Sequence, residues 1–82
     1  MREIIRYGAT WCQPCHKLDP ILDELEAEGI KVTKIDLDKE PHSSAGYNIQ
    51  SVPTMIFFND GIEVNSIVGV KTKQQILEVF DK

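Results

Sequence analysis

The apolar residues of the chain follow first a strand-like and then a helix-like spacing. A short apolar run at 4–7, interrupted by Arg6, is followed by Gly8 and Ala9, which predicts a strand ending in a loop. The chain then shows the i, i+3, i+4, i+7 spacing of an amphipathic helix, in Leu18, Ile21, Leu22 and Leu25. We expect this helix to stop near Gly29 and to kink at Pro20, which lacks an amide hydrogen.

Two further runs indicate strands in the middle of the chain. Residues 30–37 carry an imperfect apolar alternation, so the first half reads as strand, helix, strand, which favours a parallel pair with a right-handed crossover. Residues 41–48 are polar and small, as in a loop or one short helical turn. The continuous apolar run at 55–58 is typical of a strand buried on both faces, and we expect it to be central in the sheet.

The last third of the chain carries turn and capping signals. Asp60-Gly61 predicts a hairpin. The antiparallel partner strand should then present four residues on one face, namely Ile62, Val64, Ser66 and Val68. Thr72 and Gln75 have the spacing of a capping box, and the inner face of the helix that follows should consist of Ile76, Leu77 and Phe80. The predicted order is βαβ followed by ββα, an α/β fold with a four-stranded mixed sheet flanked by helices.

Size and charge narrow the possible partners. The chain has 82 residues, enough for one domain spanning 1–82, and 41% of them are hydrophobic, as in globular proteins. The formal net charge is −4 without clustered Lys or Arg, which disfavours nucleic acid as a partner. Neither a membrane-spanning run nor a signal-peptide pattern is present, so we expect a cytoplasmic monomer that acts on other proteins.

The two cysteines, Cys12 and Cys15, lie at the predicted junction between strand and helix. At a helix start, free amide hydrogens and the positive end of the helix dipole lower the pKa of the Cys12 thiol, so Cys12 can act as a thiolate. Cys15 lies one turn further on, where burial should keep it protonated until a mixed disulfide forms. We therefore predict that the more exposed Cys12 attacks and that Cys15 resolves. Pro14 suits the first helical turn, and Trp11 can shield the sulfurs.

Two other roles for the cysteines are possible. A structural zinc site needs four ligands, and the remaining candidates, His16 and His42, lack the spacing of such a site, so we expect no metal. The cysteines could also be small core residues. Their place before a helix, with a proline between them, favours redox chemistry.

Several motifs resemble the landmarks of thioredoxins, in the same order and at nearly the same spacing. They are Trp11-Cys12-Gln13-Pro14-Cys15, Pro20-Ile21-Leu22-Asp23-Glu24-Leu25, Val52-Pro53-Thr54, Asp60-Gly61 and Gly69. The match covers almost the whole chain from Ile4 onward. The sequence therefore resembles a minimal thioredoxin or glutaredoxin core, without the strand and helix with which thioredoxins usually begin.

This resemblance implies a thioredoxin-like fold and a protein-disulfide reductase with Cys12 and Cys15 as catalytic residues. It also implies that Pro53 is cis and faces the cysteines, and that the backbone of Val52 pairs with an extended substrate segment. No cofactor would be bound, and the reversible formation of a Cys12–Cys15 disulfide from the two thiols would carry the electrons. A thioredoxin reductase or glutathione would recharge the protein, and ribonucleotide reductase is an expected target. The implied substrate-binding residues are Trp11, Gln13, Pro14, Val52, Pro53 and Gly69.

Three residues depart from the thioredoxin pattern or vary it. Arg6 stands where thioredoxins usually have a buried aspartate beneath the cysteines. Our hypothesis is that Arg6 extends along the face left uncovered by the missing helix and pairs with Asp36. His16 stands where a lysine is common, and Lys34 matches a semi-buried lysine of the family; we assign neither a catalytic role.

Two alternatives to a thioredoxin function stay open. Tyr7 is shared in character with glutaredoxins, which favours a glutaredoxin-like donor recharged by glutathione. Three residues argue against a glutaredoxin, namely Trp11, Thr54 and Gly69. Glutaredoxins usually have a paired glycine and an acidic residue at the position of Gly69, where they hold glutathione. The second alternative is a redox-inactive module that binds proteins.

Overall fold

The computed structural model describes residues 1–40 and 51–81. The elements are β1 (Arg2–Gly8), α1 (Gln13–Ala27), β2 (Lys31–Asp36), β3 (Thr54–Asn59), β4 (Ile62–Val68) and α2 (Lys73–Phe80). The predicted order of strands and helices is confirmed. The loop or helical turn predicted for 41–48 lies outside the described residues.

The four strands form one mixed sheet in the order β2-β1-β3-β4. Strands β1 and β2 are parallel, with Ile4 opposite Val32, and α1 connects them as predicted. Strand β3 runs antiparallel to β1, with Phe57 opposite Ile4, and β4 runs antiparallel to β3. The apolar run at 55–58 therefore lies in one of the two central strands.

Helix α1 continues through Pro20 without interruption. It ends at the cap residue Glu28, and Gly29 follows with φ +103°, a left-handed conformation that glycine adopts without steric cost. The inner face of α1 packs on the sheet and on α2. This core contains Ile4, Leu18, Leu22, Leu25, Ile30, Met55, Phe57, Ile76, Val79 and Phe80.

Helix α2 begins with the predicted capping box. The Gln75 amide donates to Thr72 Oγ1 at 3.1 Å, and the Thr72 amide donates to Gln75 Oε1 at 2.9 Å. The buried face includes Val79 together with the expected Ile76 and Phe80, while the expected Leu77 is partly buried against the core. An edge-to-face contact of 5.3 Å between the Phe57 and Phe80 rings joins α2 to the sheet.

The β3–β4 hairpin departs from the predicted alternation. Asp60 and Gly61 both have positive φ, 55° and 83°, as a type I′ turn requires. Between Phe57 and Phe58 the register shifts, so that β4 contributes one extra residue there. Because such a bulge reverses the alternation, Ile62 lies on the opposite face from Ser66 and Val68, and the prediction of one shared face was wrong.

Candidate active site

The end of β1 and the start of α1 position the two cysteines. Cys12 is the N-cap of α1, and its amide donates to the Ala9 carbonyl at 3.1 Å, which fixes the loop between strand and helix. The Cys15 amide donates to Cys12 Sγ at 3.2 Å. The Cys12 sulfur thus takes the place that a Ser or Asp oxygen usually takes at a helix start, where a negative charge is stabilised. Pro14 lies in the first turn, where its missing amide hydrogen costs nothing.

Cys12 and Cys15 are joined by a disulfide, with their Cα atoms 5.3 Å apart. Both are buried, Cys12 with 3% and Cys15 with 1% of its surface exposed. The expected difference in exposure is therefore small in this oxidised form. The hydrogen bond at the helix start is the feature that distinguishes the two sulfurs.

The segment before β3 lies against the disulfide. Val52 packs on the small cluster formed by Ala9, Cys12 and Cys15. The Val52–Pro53 peptide bond is cis, as the resemblance implied. The Pro53 carbonyl accepts a hydrogen bond from the Gly69 amide at 2.8 Å, which joins this segment to the end of β4.

The remaining expected substrate-binding residues surround the disulfide at the surface. Gln13 and Pro14 are exposed on the first turn of α1, and Trp11 is 69% exposed immediately before it. Tryptophan is enriched at protein–protein interfaces, where its large ring often supplies much of the binding energy. Trp11, Gln13 and Pro14 thus lie in the segment that carries the disulfide. Val52 contacts the cysteines, and Gly69 is linked to this region through its hydrogen bond to Pro53.

The location of Arg6 corrects the hypothesis made from sequence. Arg6 is two residues from Ile4 in β1 and shares its face, which packs against α1. Arg6 is 8% exposed, and its Nη2 atom lies 3.1 Å from Asp19 Oδ2 on α1. The partner is therefore Asp19 and not Asp36. Sequence reasoning missed Asp19, although its i+4 spacing from Cys15 in a helix was a usable signal.

Gly8 shows how close Arg6 comes to the resolving cysteine. A Cβ on Gly8 would overlap Arg6 Nη1 and would lie 3.0 Å from Cys15 Sγ. The Arg6 guanidinium and the Cys15 sulfur therefore both border the space that a side chain on Gly8 would occupy. No residue larger than glycine fits here without moving Arg6.

A cavity of about 230 Å³ opens beside Cys15. Its charged lining comes from β1, α1 and β2, and two of these side chains have other partners. His16 Nε2 donates to the Thr10 carbonyl at 2.8 Å, and Lys34 Nζ donates to Asp23 Oδ1 at 2.7 Å. The lining residues are Arg6, Ala9, Thr10, Cys15, His16, Asp19, Lys34 and Asp36.

Within residues 1–40 and 51–81, no three His, Cys, Asp or Glu side chains are grouped so as to hold a metal ion. The zinc alternative also involved His42, which lies outside the described residues. Within the same ranges, no helix has the length and hydropathy to cross a bilayer.

The paired cysteines at a helix start, on this mixed sheet, define a thiol–disulfide oxidoreductase. Comparison with known proteins agrees. A thioredoxin from Staphylococcus aureus is 41% identical, over 98% of this chain and 80% of its own length. The structure superimposes on a mutant thioredoxin from Halobacterium salinarum with a TM-score of 0.87 and 28% identity, over 98% of this chain and 72% of that one. The Thioredoxin family model matches residues 2–82, and the chain belongs to the thioredoxin family.

A second solved structure matches in fold alone. It is described as a malarial protein and superimposes with a TM-score of 0.88 at 20% identity, over 99% of this chain and 94% of that one. The thioredoxin-like fold expected from the sequence is thus confirmed. The family match and the thioredoxin relatives, together with the Cys12–Cys15 disulfide, show that the chain is an oxidoreductase acting on protein disulfides.

Proposed function

We propose that the protein reduces disulfide bonds in other proteins by dithiol–disulfide exchange through its Trp11-Cys12-Gln13-Pro14-Cys15 segment. Reduced Cys12 attacks the target disulfide and forms a mixed disulfide, and Cys15 then attacks Cys12 and releases the reduced target. The observation that carries this assignment is the 3.2 Å hydrogen bond from the Cys15 amide to Cys12 Sγ. It supports Cys12, rather than Cys15, as the thiolate that attacks first.

The target segment binds beside the disulfide, against Trp11, Gln13 and Pro14 on one side. On the other side it contacts Val52, Pro53 and Gly69, where the main chain of Val52 pairs with it in an extended conformation. Support comes from the packing of Val52 against the cysteines and from the hydrogen bond between Gly69 and Pro53. Main-chain pairing makes little demand on target sequence, as a general reductase requires.

The protein needs no bound cofactor, because the reduced Cys12 and Cys15 thiols themselves store the two electrons and form the Cys12–Cys15 disulfide when they give them up. A thioredoxin reductase recharges it in the cytoplasm, with glutathione as the alternative donor. Ribonucleotide reductase is one candidate target. Measuring turnover with thioredoxin reductase and NADPH against turnover with reduced glutathione distinguishes a thioredoxin from a glutaredoxin-like donor.

Insulin reduction in the presence of dithiothreitol tests the reaction. The wild-type protein should accelerate it, and Cys12→Ser should abolish the acceleration without trapping any target. Cys15→Ser should instead accumulate a mixed disulfide between Cys12 and insulin. If the protein is a redox-inactive binding module, Cys12→Ser will retain its partners and the wild type will not accelerate the reaction.

A further inference from the structure

The resolving step needs a group that takes the proton from Cys15. A thiol attacks a disulfide as the thiolate, and Cys15 is 1% exposed, so bulk water has little direct access to it. The titratable groups around this sulfur are therefore the first candidates for the acceptor. The inference that follows rests on the proposed function.

The cavity beside Cys15 contains few candidates for this proton acceptor. The other titratable or charged residues that line it are Arg6 from β1, His16 and Asp19 from α1, and Lys34 and Asp36 from β2. Arg6 and Lys34 are cations and cannot accept a proton. His16 donates Nε2–H to the Thr10 carbonyl, and Asp36 Oδ1 accepts from the Asp38 amide at 2.8 Å. Each keeps a second acceptor atom, but among the described residues only Asp19 has a carboxylate oxygen that is both buried and unpaired.

Asp19 combines the right position with a free oxygen. It follows Cys15 by four residues in α1, so both side chains lie on one face of the helix. Arg6 Nη2 binds Asp19 Oδ2 at 3.1 Å. Asp19 Oδ1 is buried and makes no hydrogen bond to any atom of the described residues. Arg6 thus orients the carboxylate through one oxygen and leaves the other available.

We propose that Asp19 is the proton acceptor for Cys15 in the resolving step and that Arg6 is the residue that positions it. The cavity volume of about 230 Å³ is many times what one water requires, about 15 Å³, so the proton can pass directly or through a water. The Arg6 guanidinium, which borders the same space at Gly8 as Cys15 Sγ, stabilises the thiolate that forms.

The step balances without any further reactant. In the mixed disulfide, Asp19 takes the proton from Cys15 Sγ, and the resulting thiolate attacks Cys12 Sγ. The Cys12–Cys15 bond forms while the bond between Cys12 and the target sulfur breaks, and the electron pair leaves with the target sulfur. That sulfur becomes a thiol by taking the proton back from Asp19. The protein dithiol is oxidised and the target disulfide is reduced by the same two electrons.

Single-turnover reduction of a peptide disulfide, quenched in acid and resolved by mass spectrometry, separates the two steps. In Asp19→Asn, formation of the mixed disulfide should keep its wild-type rate. Its resolution should slow about 100-fold at neutral pH, as expected when general base catalysis is lost. The matched control is Glu26→Gln, which removes an exposed carboxylate of α1 that forms no ion pair with any described residue and should resolve like the wild type.

The pH profile distinguishes a proton acceptor from a structural role. Between about pH 6 and about pH 8, resolution by the wild type should change less than twofold, whereas resolution by Asp19→Asn should rise about tenfold per pH unit as hydroxide replaces the lost base. An Asp19→Asn protein that resolves within twofold of the wild type at every pH overturns the proposal. So does a wild-type rate that itself rises tenfold per unit.

A second variant covers the case in which Asp19→Asn does not fold, because it leaves the buried Arg6 charge unpaired. Arg6→Gln with Asp19→Asn removes both charges, and it should show the same slow, pH-dependent resolution. Wild-type resolution kinetics in this double variant overturn the proposal. If the wild type and Cys15→Ser form no mixed disulfide at all, the proposed function fails first and the inference fails with it.

Discussion

The Cys15 amide donates a hydrogen bond to Cys12 Sγ across 3.2 Å, within the first turn of α1. Cys12 therefore lies where the helix amides converge, and Cys15 contributes to that arrangement as a donor. The two residues are almost equally buried, so the difference between them is electrostatic rather than steric. A negative charge on Cys12 is stabilised by the helix end in the reduced protein.

Alkylation of the reduced protein tests this difference. At about pH 6.5, iodoacetamide should label Cys12 at least about tenfold faster than Cys15, because the thiolate is the reactive form. Peptide mapping by mass spectrometry gives both rates. In denaturing guanidinium chloride the helix is lost, and the two rates should become similar. Equal labelling in the folded protein would contradict the proposed role of Cys12.

Trp11 is predicted to contribute to target binding and not to stability. Its side chain is 69% exposed, so Trp11→Ala should change the free energy of unfolding by less than about 0.5 kcal/mol. The same variant should raise KM for insulin reduction several-fold. Ile62→Ala is the matched control, since Ile62 is also 69% exposed but starts β4 at the opposite end of the sheet. Equal KM values for the two variants would count against a binding role for Trp11.

Gly8 is predicted to be sensitive to a single added methyl group. In Gly8→Ala the new Cβ overlaps the Arg6 guanidinium, which Asp19 holds in place, and such overpacking costs about 1–3 kcal/mol. Urea unfolding measures the loss. Adding Gly8→Ala to an Arg6→Ala protein should cost much less, because the overlapping group is gone. A cost that is the same in both backgrounds would refute the overlap.

Local signals in the sequence predicted most of the fold, and cross-element packing accounts for what they missed. The turn at Asp60-Gly61 and the helix start at Thr72 could be predicted because each depends on residues that are neighbours in the sequence. The turn requires positive φ at two adjacent residues, and the capping box joins Thr72 to Gln75. The pairing of Arg6 depends on which helix covers one face of β1, a tertiary property. The bulge in β4 likewise depends on pairing with β3, which no residue of β4 specifies alone.

The candidate site likewise has local features that the sequence predicts and packing features that it does not. The spacing of Cys12 and Cys15 and the start of α1 are local, and sequence reasoning located both sulfurs correctly. The cavity beside Cys15 is formed by three elements, and its acidic residue Asp19 was not singled out. Arg6 occupies the β1 position where thioredoxins usually have a buried aspartate, and the carboxylate near Cys15 is instead that of Asp19 on α1.

The capping box of α2 predicts a measurable contribution to stability. Thr72→Ala removes the hydroxyl that accepts from the Gln75 amide and should lower the free energy of unfolding by about 1 kcal/mol. Thr72→Ser keeps an accepting hydroxyl and should lose little. Urea unfolding followed by circular dichroism compares the three proteins. Equal losses in both variants would indicate that the methyl group of Thr72, and not its hydrogen bond, matters.

The ion pair between Lys73 and Glu28 joins the start of α2 to the end of α1 and predicts a pH dependence. The hydrogen bond to Glu28 raises the pKa of Lys73 above its ordinary value of 10.5; desolvation opposes this, and the charges of Glu28 and Glu24 add to it. Because the pKa is higher in the folded state, the stabilisation is fully present below pH 10.5 and is lost as pH rises through the folded-state pKa.

Lys73→Met tests this pH dependence. The variant should be slightly less stable than the wild type at neutral pH, and the two unfolding free energies should converge in strongly alkaline solution, where Lys73 is neutral. Lys17→Met is the control, because Lys17 is exposed on α1 and forms no ion pair with any described residue. Its difference from the wild type should not follow this pattern. A Lys73→Met difference that stays constant through the alkaline range would show that the ion pair does not contribute to stability.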